Sequence, residues 1–163
     1  MKIKISDVVS IIVLSILIVA CLIAYLPLIT GLNAFCVDSE SMRPTLKEGH
    51  LVFVKETSFE EIQVNDIITF SNDTQTKFCT HRVVSKDDNE KSFETKGDNN
   101  NSSDPLDTYY EYVKGKVVFS IPFIGKIFTL LNTKTAKVIV VMSAIIYLAI
   151  EIEFFKRKKK GRA

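Results

Sequence analysis

The sequence predicts a mainly antiparallel β domain flanked by two transmembrane α-helices. Three observations indicate this fold class: a long apolar segment near the N-terminus, a shorter one near the C-terminus, and short β-branched and aromatic runs between them. The chain has 163 residues and is 47% hydrophobic. This composition argues against a disordered chain, and the length fits one modest domain.

The first apolar segment is long enough to cross a bilayer. No charged residue occurs from Val8 to Val37, whereas a span needs roughly 20 apolar residues. A cleaved signal peptide would have a shorter apolar core, roughly 7–15 residues, and a small-residue exit. We therefore predict an uncleaved transmembrane helix over 8–32. Lys2 and Lys4 place the segment 1–7 in the cytoplasm.

The C-terminal apolar segment is shorter. Its uncharged part runs from Val138 to Ile150, and Lys137 and Glu151 could reach the membrane interfaces by snorkelling. The following "KRKKKGR" is a strong cytoplasmic anchor. We predict a second transmembrane helix over 134–155 and a basic cytoplasmic tail over 156–163. A helix lying in the membrane surface is the alternative.

The distribution of charge supports this topology. Residues 33–133 carry 16 acidic and 11 basic side chains, whereas the two ends carry 3 acidic and 10 basic ones. Basic ends around an acidic middle argue against nucleic-acid binding and for both ends inside. The predicted localisation is the plasma membrane, multi-pass, with 33–133 on the extracytoplasmic side. In a eukaryote it would be the endoplasmic reticulum membrane.

The middle region shows a pattern typical of strands. Runs bounded by Gly, Asn and Asp predict strands at "GHLVFVK", "NDIITFSN", "TKFCTHRVVS", "SFETKG" and "YVKGKVVFSIP". The segments "ETSFEEIQV", "KDDNEK" and "DNNNSSDPLD" between them read as a turn, a hairpin tip and a loop. The glycine inside the last strand predicts a bulge.

Two serines lie close together in "DSESMRPTL" at 38–46. A nucleophilic serine needs a base, most often histidine, and a group that orients the base. The chain has two histidines, His50 in a turn and His81 within a predicted strand. Cys36 and Cys79 could form a disulfide or remain free thiols. The Cys and His spacing fits no metal site, so we expect neither a metal nor a cofactor.

Three motifs together are more specific than any single residue. "SESMRPTL" at 39–46, "HRVV" at 81–84 and "TKGDNNNSSD" at 95–104 follow in this order between the apolar segments. The combination resembles the type I signal peptidases, in their endoplasmic-reticulum-like branch of archaea, eukaryotic signal peptidase complexes and some Gram-positive bacteria. The resemblance covers about residues 8–128 and implies a signal-peptidase-like β fold. The common bacterial branch has Lys where this chain has His81.

The resemblance implies a role for each matching residue. Ser41 corresponds to the nucleophile and His81 to the base. Asp98 and Asp104 match two acidic positions, and either could orient the imidazole, with Asp104 corresponding to the usual partner. The hydroxyl of Ser39 would help to stabilise the oxyanion.

The implied reaction is removal of a signal peptide from an exported preprotein, after small residues at −1 and −3. The substrate would lie extended beside strand edges at Phe35 to Asp38 and at Phe78 to Thr80. Met42 would fill an apolar gap beside the site. Expected partners are preprotein signal peptides and the lipid bilayer, with other signal peptidase or translocation subunits as candidates. No nucleic acid is expected.

Two residues depart from the family pattern. Glu40 replaces the usual Gly between the serines, and we expect its carboxylate to point into water. His50 stands where Asp is common and is a rival base. Two other functions compete: a non-enzymatic two-span accessory subunit, which leaves the three motifs unexplained, and a protease dedicated to a narrower set of surface or matrix proteins.

Overall fold

A computed structural model describes residues 5–71 and 77–160. The chain divides into two compact units. One unit is formed by the terminal segments, up to Leu26 and from Leu130, and the other by Pro27–Thr129. Residues 1–4 and 161–163, which belong to the predicted cytoplasmic segment and basic tail, lie outside the described residues.

The terminal segments are helical. Helix α1 spans Ile5–Thr30 and helix α3 spans Lys134–Lys160. Each contains a stretch that is long and apolar enough to cross a membrane, Val8–Thr30 and Lys134–Glu153. The two helices touch at the hydroxyl of Tyr147 on α3, which is 3.2 Å from the carbonyl oxygen of Ser10 on α1.

The described residues of the Pro27–Thr129 unit form one seven-stranded antiparallel sheet, in the order β1-β2-β7-β3-β4-β5-β6. Its strands are β1 Asn33–Cys36, β2 Leu51–Lys55, β3 Ile67–Ser71, β4 Phe78–Asp87, β5 Ser92–Lys96, β6 Thr108–Tyr109 and β7 Val113–Ile121. A short 3₁₀ turn, Tyr110–Tyr112, precedes β7, and helix α2, Gly125–Leu131, follows it. The predicted fold class is confirmed. The strand patterns did not predict the two edge strands: β1 was expected only through the resemblance, as a strand edge at Phe35 to Asp38, and β6 was not expected.

Two hydrophobic cores form on opposite faces of the sheet. Successive side chains of a strand point to opposite faces, so Ile67 packs into one core and Ile68 into the other. The first core contains Val37, Met42, Leu46, Val52 and Val54. The second contains Phe59, Ile62, Ile68, Val83 and Phe93. Burying each such side chain contributes roughly 1.5–3 kcal/mol.

Strand β4 is paired unevenly, and this leaves an open edge. Residues Phe78 to His81 pair with β3, but β5 joins β4 only from Arg82 onward. β1 also lies at an edge of the sheet, with β2 as its partner. The rings of Phe35 on β1 and Phe78 on β4 are 4.8 Å apart. The sheet therefore curls until the edge of β1 meets the open part of β4.

The predicted bulge is present in β7. The register of β3 against β7 shifts between Thr69, opposite Gly115, and Phe70, opposite Val113. Gly115 has a φ of +139°, which L side chains rarely adopt. A Cβ there would overlap the carbonyl oxygen of Lys55 on the neighbouring strand.

Gly115→Ala should therefore destabilise the β unit. The added methyl group would strain the backbone at position 115 and push β7 away from β2. We expect the free energy of unfolding to fall by about 3 kcal/mol. Thermal unfolding of the purified chain in detergent measures this loss, with the neighbouring Lys114→Ala as the control. An unchanged melting temperature for Gly115→Ala would contradict the bulge geometry.

Candidate active site

The loop between β1 and β2 carries Ser41. Met42 and Leu46 anchor this loop because both side chains are buried in the first core, exposed by 1% and 3%. Ser41 lies half-buried beside them. Its carbonyl oxygen accepts a hydrogen bond from the backbone N–H of Asn99 at 2.7 Å. A Cβ on Gly97 would approach that oxygen to 2.7 Å, so the absence of a side chain there lets the second loop reach the serine.

His81 stands between a serine and an aspartate. The ring is 7% exposed on β4. Its Nε2 lies 3.1 Å from Ser41 Oγ, and its Nδ1 lies 2.6 Å from Asp104 Oδ2. The carboxylate accepts a hydrogen bond from Nδ1–H, and this leaves Nε2 free to accept the serine proton. Ser41, His81 and Asp104 therefore have the geometry of a hydrogen-bonded Ser–His–Asp triad.

Asp104 is itself held in place from β5. Its backbone N–H donates to the carbonyl oxygen of Thr95 at 2.8 Å, and the Thr95 hydroxyl donates to Asp104 Oδ2 at 2.6 Å. Thr95 is opposite Val83 in the sheet, so it shares a face with His81. The motif comparison did not single out Thr95, although strand alternation places it on the histidine side.

Asp98 is directed elsewhere. The guanidinium of Arg82 donates to both of its carboxylate oxygens, at 2.8 and 2.7 Å, and the Thr45 hydroxyl donates to Oδ2 at 2.5 Å. Arg82 also donates to the carbonyl oxygen of Asn65. Arg82 holds the pKa of Asp98 below its usual range, and Asp98 raises that of Arg82. Of the two aspartates between which the sequence left the choice open, Asp98 therefore ties loops together, and Asp104 faces the histidine.

Ser39 and Glu40 precede the nucleophile. Ser39 Oγ is 3.0 Å from Ser41 Oγ, within reach of an oxygen bonded to the attacked carbon. The carboxylate of Glu40 pairs with the guanidinium of Arg43, and both side chains are about half exposed. Arg43 therefore compensates the negative charge that stands between the two serines.

The predicted substrate-binding residues lie at the junction of the two strand edges. Phe78 is 50% exposed and contacts Phe35. The Thr80 hydroxyl is 2.8 Å from that of Thr69 inside the sheet, and Asp38 is exposed. Met42, expected to fill an apolar gap beside the site, is buried in the first core directly after Ser41 and offers no surface to a substrate.

Both cysteines of the β unit are free thiols. Cys79 lies beside the base, with Sγ 3.5 Å from His81 Nε2, a contact that sequence reasoning missed. The rival base His50 packs edge-on against Phe123, with ring centroids 6.3 Å apart. Among the described residues, no group of three His, Cys, Asp or Glu side chains could hold a metal ion.

The antiparallel β fold and the Ser–His–Asp geometry define a site of the serine-hydrolase type. Residues 9–114 match the family model described as signal peptidase, peptidase S26, so the chain belongs to this family. It is 38% identical over 100 residues to "Signal peptidase I W" of Bacillus subtilis (strain 168), across 59% of this chain and 52% of that protein. The chain thus spans about half the length of this relative. The resemblance inferred from the motifs is confirmed.

The Asp98–Arg82 pair generates a prediction about acid stability. A carboxyl group whose pKa is lowered by folding contributes stability above its unfolded pKa, about 3.9, and loses it as the pH falls through the folded value. At neutral pH, Asp98→Asn should lower the free energy of unfolding by about 2 kcal/mol. The difference from the parent should shrink below about pH 4.

Denaturant unfolding of the parent and Asp98→Asn between pH 7 and pH 2.5 measures this difference. Asp88→Asn is the control, because that aspartate side chain is 83% exposed. A destabilisation by Asp98→Asn that persists unchanged at pH 2.5 would contradict a charge-dependent clamp.

Proposed function

We propose that this chain is a membrane-bound serine endopeptidase that removes signal peptides from exported preproteins. The observation that carries the proposal is the hydrogen-bonded line from Ser41 through His81 to Asp104, in a chain that belongs to the signal peptidase family. Catalysis needs a nucleophile, a base and an orienting group in contact, and all three are in contact before substrate arrives.

The first half of the reaction forms an acyl-enzyme. Ser41 Oγ attacks the carbonyl carbon of the −1 residue while His81 Nε2 takes the serine proton, and Asp104 stabilises the resulting imidazolium. The Ser41 backbone N–H and the Ser39 hydroxyl donate to the developing oxyanion. The tetrahedral intermediate collapses when the imidazolium gives its proton to the leaving amine, and the mature protein departs.

The second half releases the signal peptide. His81 Nε2, now neutral, takes a proton from a water molecule that attacks the ester carbonyl. Collapse of the second tetrahedral intermediate breaks the bond to Ser41 Oγ, which recovers its proton from His81. The signal peptide leaves with a new C-terminal carboxylate.

The two open strand edges support an extended substrate. Main-chain groups of β1, and of β4 from Phe78 to Thr80, would pair with the peptide that precedes the cleaved bond. Alternate side chains of an extended peptide point the same way, so the −1 and −3 side chains face one wall. The contact between Phe35 and Phe78 closes space between the strands. The two aromatic rings would leave little room beside the peptide, and this favours small side chains at −1 and −3.

The proposed topology is multi-pass, with both ends in the cytoplasm and the β unit outside. The two apolar helices, the basic ends and the acidic middle support it. A signal peptide's own apolar segment lies in the bilayer, so anchoring raises the effective concentration of enzyme and substrate. We further propose signal peptides and lipid as partners. Other signal peptidase or translocation subunits are candidates, which co-purification from membranes would test.

Ser41→Ala should abolish cleavage of a preprotein by the purified full chain in detergent, because Ser41 Oγ is the hydroxyl that His81 Nε2 contacts. Ser39→Ala should lower kcat by about 10²-fold, the usual effect of removing one oxyanion donor. Ser102→Ala alters an exposed serine of the neighbouring loop and should leave kcat unchanged. Gel analysis with N-terminal sequencing of the product gives both the rate and the cleaved bond.

Parental activity in Ser41→Ala would contradict the nucleophile assignment. Cleavage after large side chains at −1 would contradict the proposed wall between the two strand edges.

A further inference from the structure

Two described side chains lie next to Nε2 of His81, the nitrogen that accepts the serine proton. Ser41 Oγ is 3.1 Å and Cys79 Sγ is 3.5 Å from the same Nε2 of His81. Cys79 and His81 are two residues apart on β4, so their side chains emerge on the same face. A neutral imidazole with its proton on Nδ1 has one lone pair on Nε2. The thiol S–H and the serine O–H therefore share one acceptor.

The thiol keeps its proton throughout the range in which a histidine titrates. Burial, together with the negative charge of Asp104, raises the pKa of Cys79 to about 11. Phe70 lies directly opposite Cys79 on β3. The Phe70 ring also meets the imidazole edge-on, with centroids 6.2 Å apart. A protonated thiol next to Nε2 is a weak hydrogen-bond donor to it.

We infer that Cys79 is a positioning residue for the general base: its S–H donates to the same Nε2 of His81 as the Ser41 hydroxyl and favours the neutral imidazole. The thiol favours the neutral imidazole because only that form has a lone pair on Nε2. A protonated imidazole carries a hydrogen there and cannot accept from the thiol. Asp104 contacts the ring at Nδ1, and the Asp98 carboxylate, from beyond the strand, acts on it only through its charge. Both carboxylates stay the same when Cys79 is replaced. The catalytic consequence rests on the proposed function, whereas the effect on protonation does not.

Two replacements separate donation from packing. Cys79→Ser keeps a donor of similar size, and Cys79→Val fills a similar volume without one. The full chain is labelled with ¹⁵N-histidine in detergent, and long-range ¹H–¹⁵N spectra follow protonation of the imidazoles with pH. The chain has two histidines, so His50 serves as an internal reference in the same spectra.

In Cys79→Val, the midpoint of His81 protonation should move to higher pH by about half a unit, the size expected for one weak hydrogen bond. The midpoint in Cys79→Ser should stay near that of the parent, and His50 should not move. The acid limb of kcat/KM for preprotein cleavage should follow, with about a threefold loss at pH 6 in Cys79→Val.

Equal midpoints in the parent and Cys79→Val would overturn the inference, as would equal shifts in Cys79→Ser and Cys79→Val. If Cys79→Val does not fold, Cys79→Ala takes its place with the same expected shift. A parent that cleaves no preprotein but shows the expected midpoints would refute the proposed function and leave the positioning role standing.

Discussion

The hydrogen bond between His81 Nδ1 and Asp104 is the interaction on which the rest of the site depends. At 2.6 Å it fixes which nitrogen carries the proton and therefore which nitrogen faces Ser41. Thr95 on the adjacent strand fixes the position of Asp104: its hydroxyl donates to the carboxylate, and its carbonyl oxygen accepts from the Asp104 backbone N–H. A base oriented from the sheet in this way is ready before any substrate is bound.

The serine reaches this base because two loops are tied together. Met42 anchors the first loop in a hydrophobic core, and the second loop, around Gly97 and Asn99, holds the carbonyl oxygen of Ser41. Asp98, from the same second loop, joins Arg82 on β4 to Thr45 of the first loop. The second loop therefore contributes Asp104 as the partner of His81 and Asp98 as its own attachment to the first loop and β4.

Strong local patterns allowed the sequence to predict much of the fold. The runs that became β2, β3, β4, β5 and β7 are rich in β-branched and aromatic residues. β1 and β6 have four and two residues, too short for a pattern, and pairing with a neighbour defines them. Helix α2, which begins at Gly125 in an apolar stretch after β7, was not predicted.

The motifs identified Ser41 and His81, but the choice between Asp98 and Asp104 stayed open because spacing along a loop does not say where a carboxylate turns. The sheet register decides this, since Arg82 and His81 point to opposite faces of β4 and each takes one aspartate. The same register places Thr95 and Cys79 around the imidazole. Their contacts arise from pairing between strands, which no single stretch of sequence displays.

The most direct test of the central claim compares two isosteric replacements, Asp104→Asn and Asp98→Asn, by kcat for preprotein cleavage at neutral pH and at a temperature where both variants are folded. An amide at position 104 can donate to Nδ1 through its NH2 group as well as accept through its oxygen, so the imidazole tautomer is no longer fixed. The account predicts a loss on the order of 10³-fold or more for Asp104→Asn and less than about tenfold for Asp98→Asn. Equal losses in the two variants, or near-parental activity in Asp104→Asn, would contradict it.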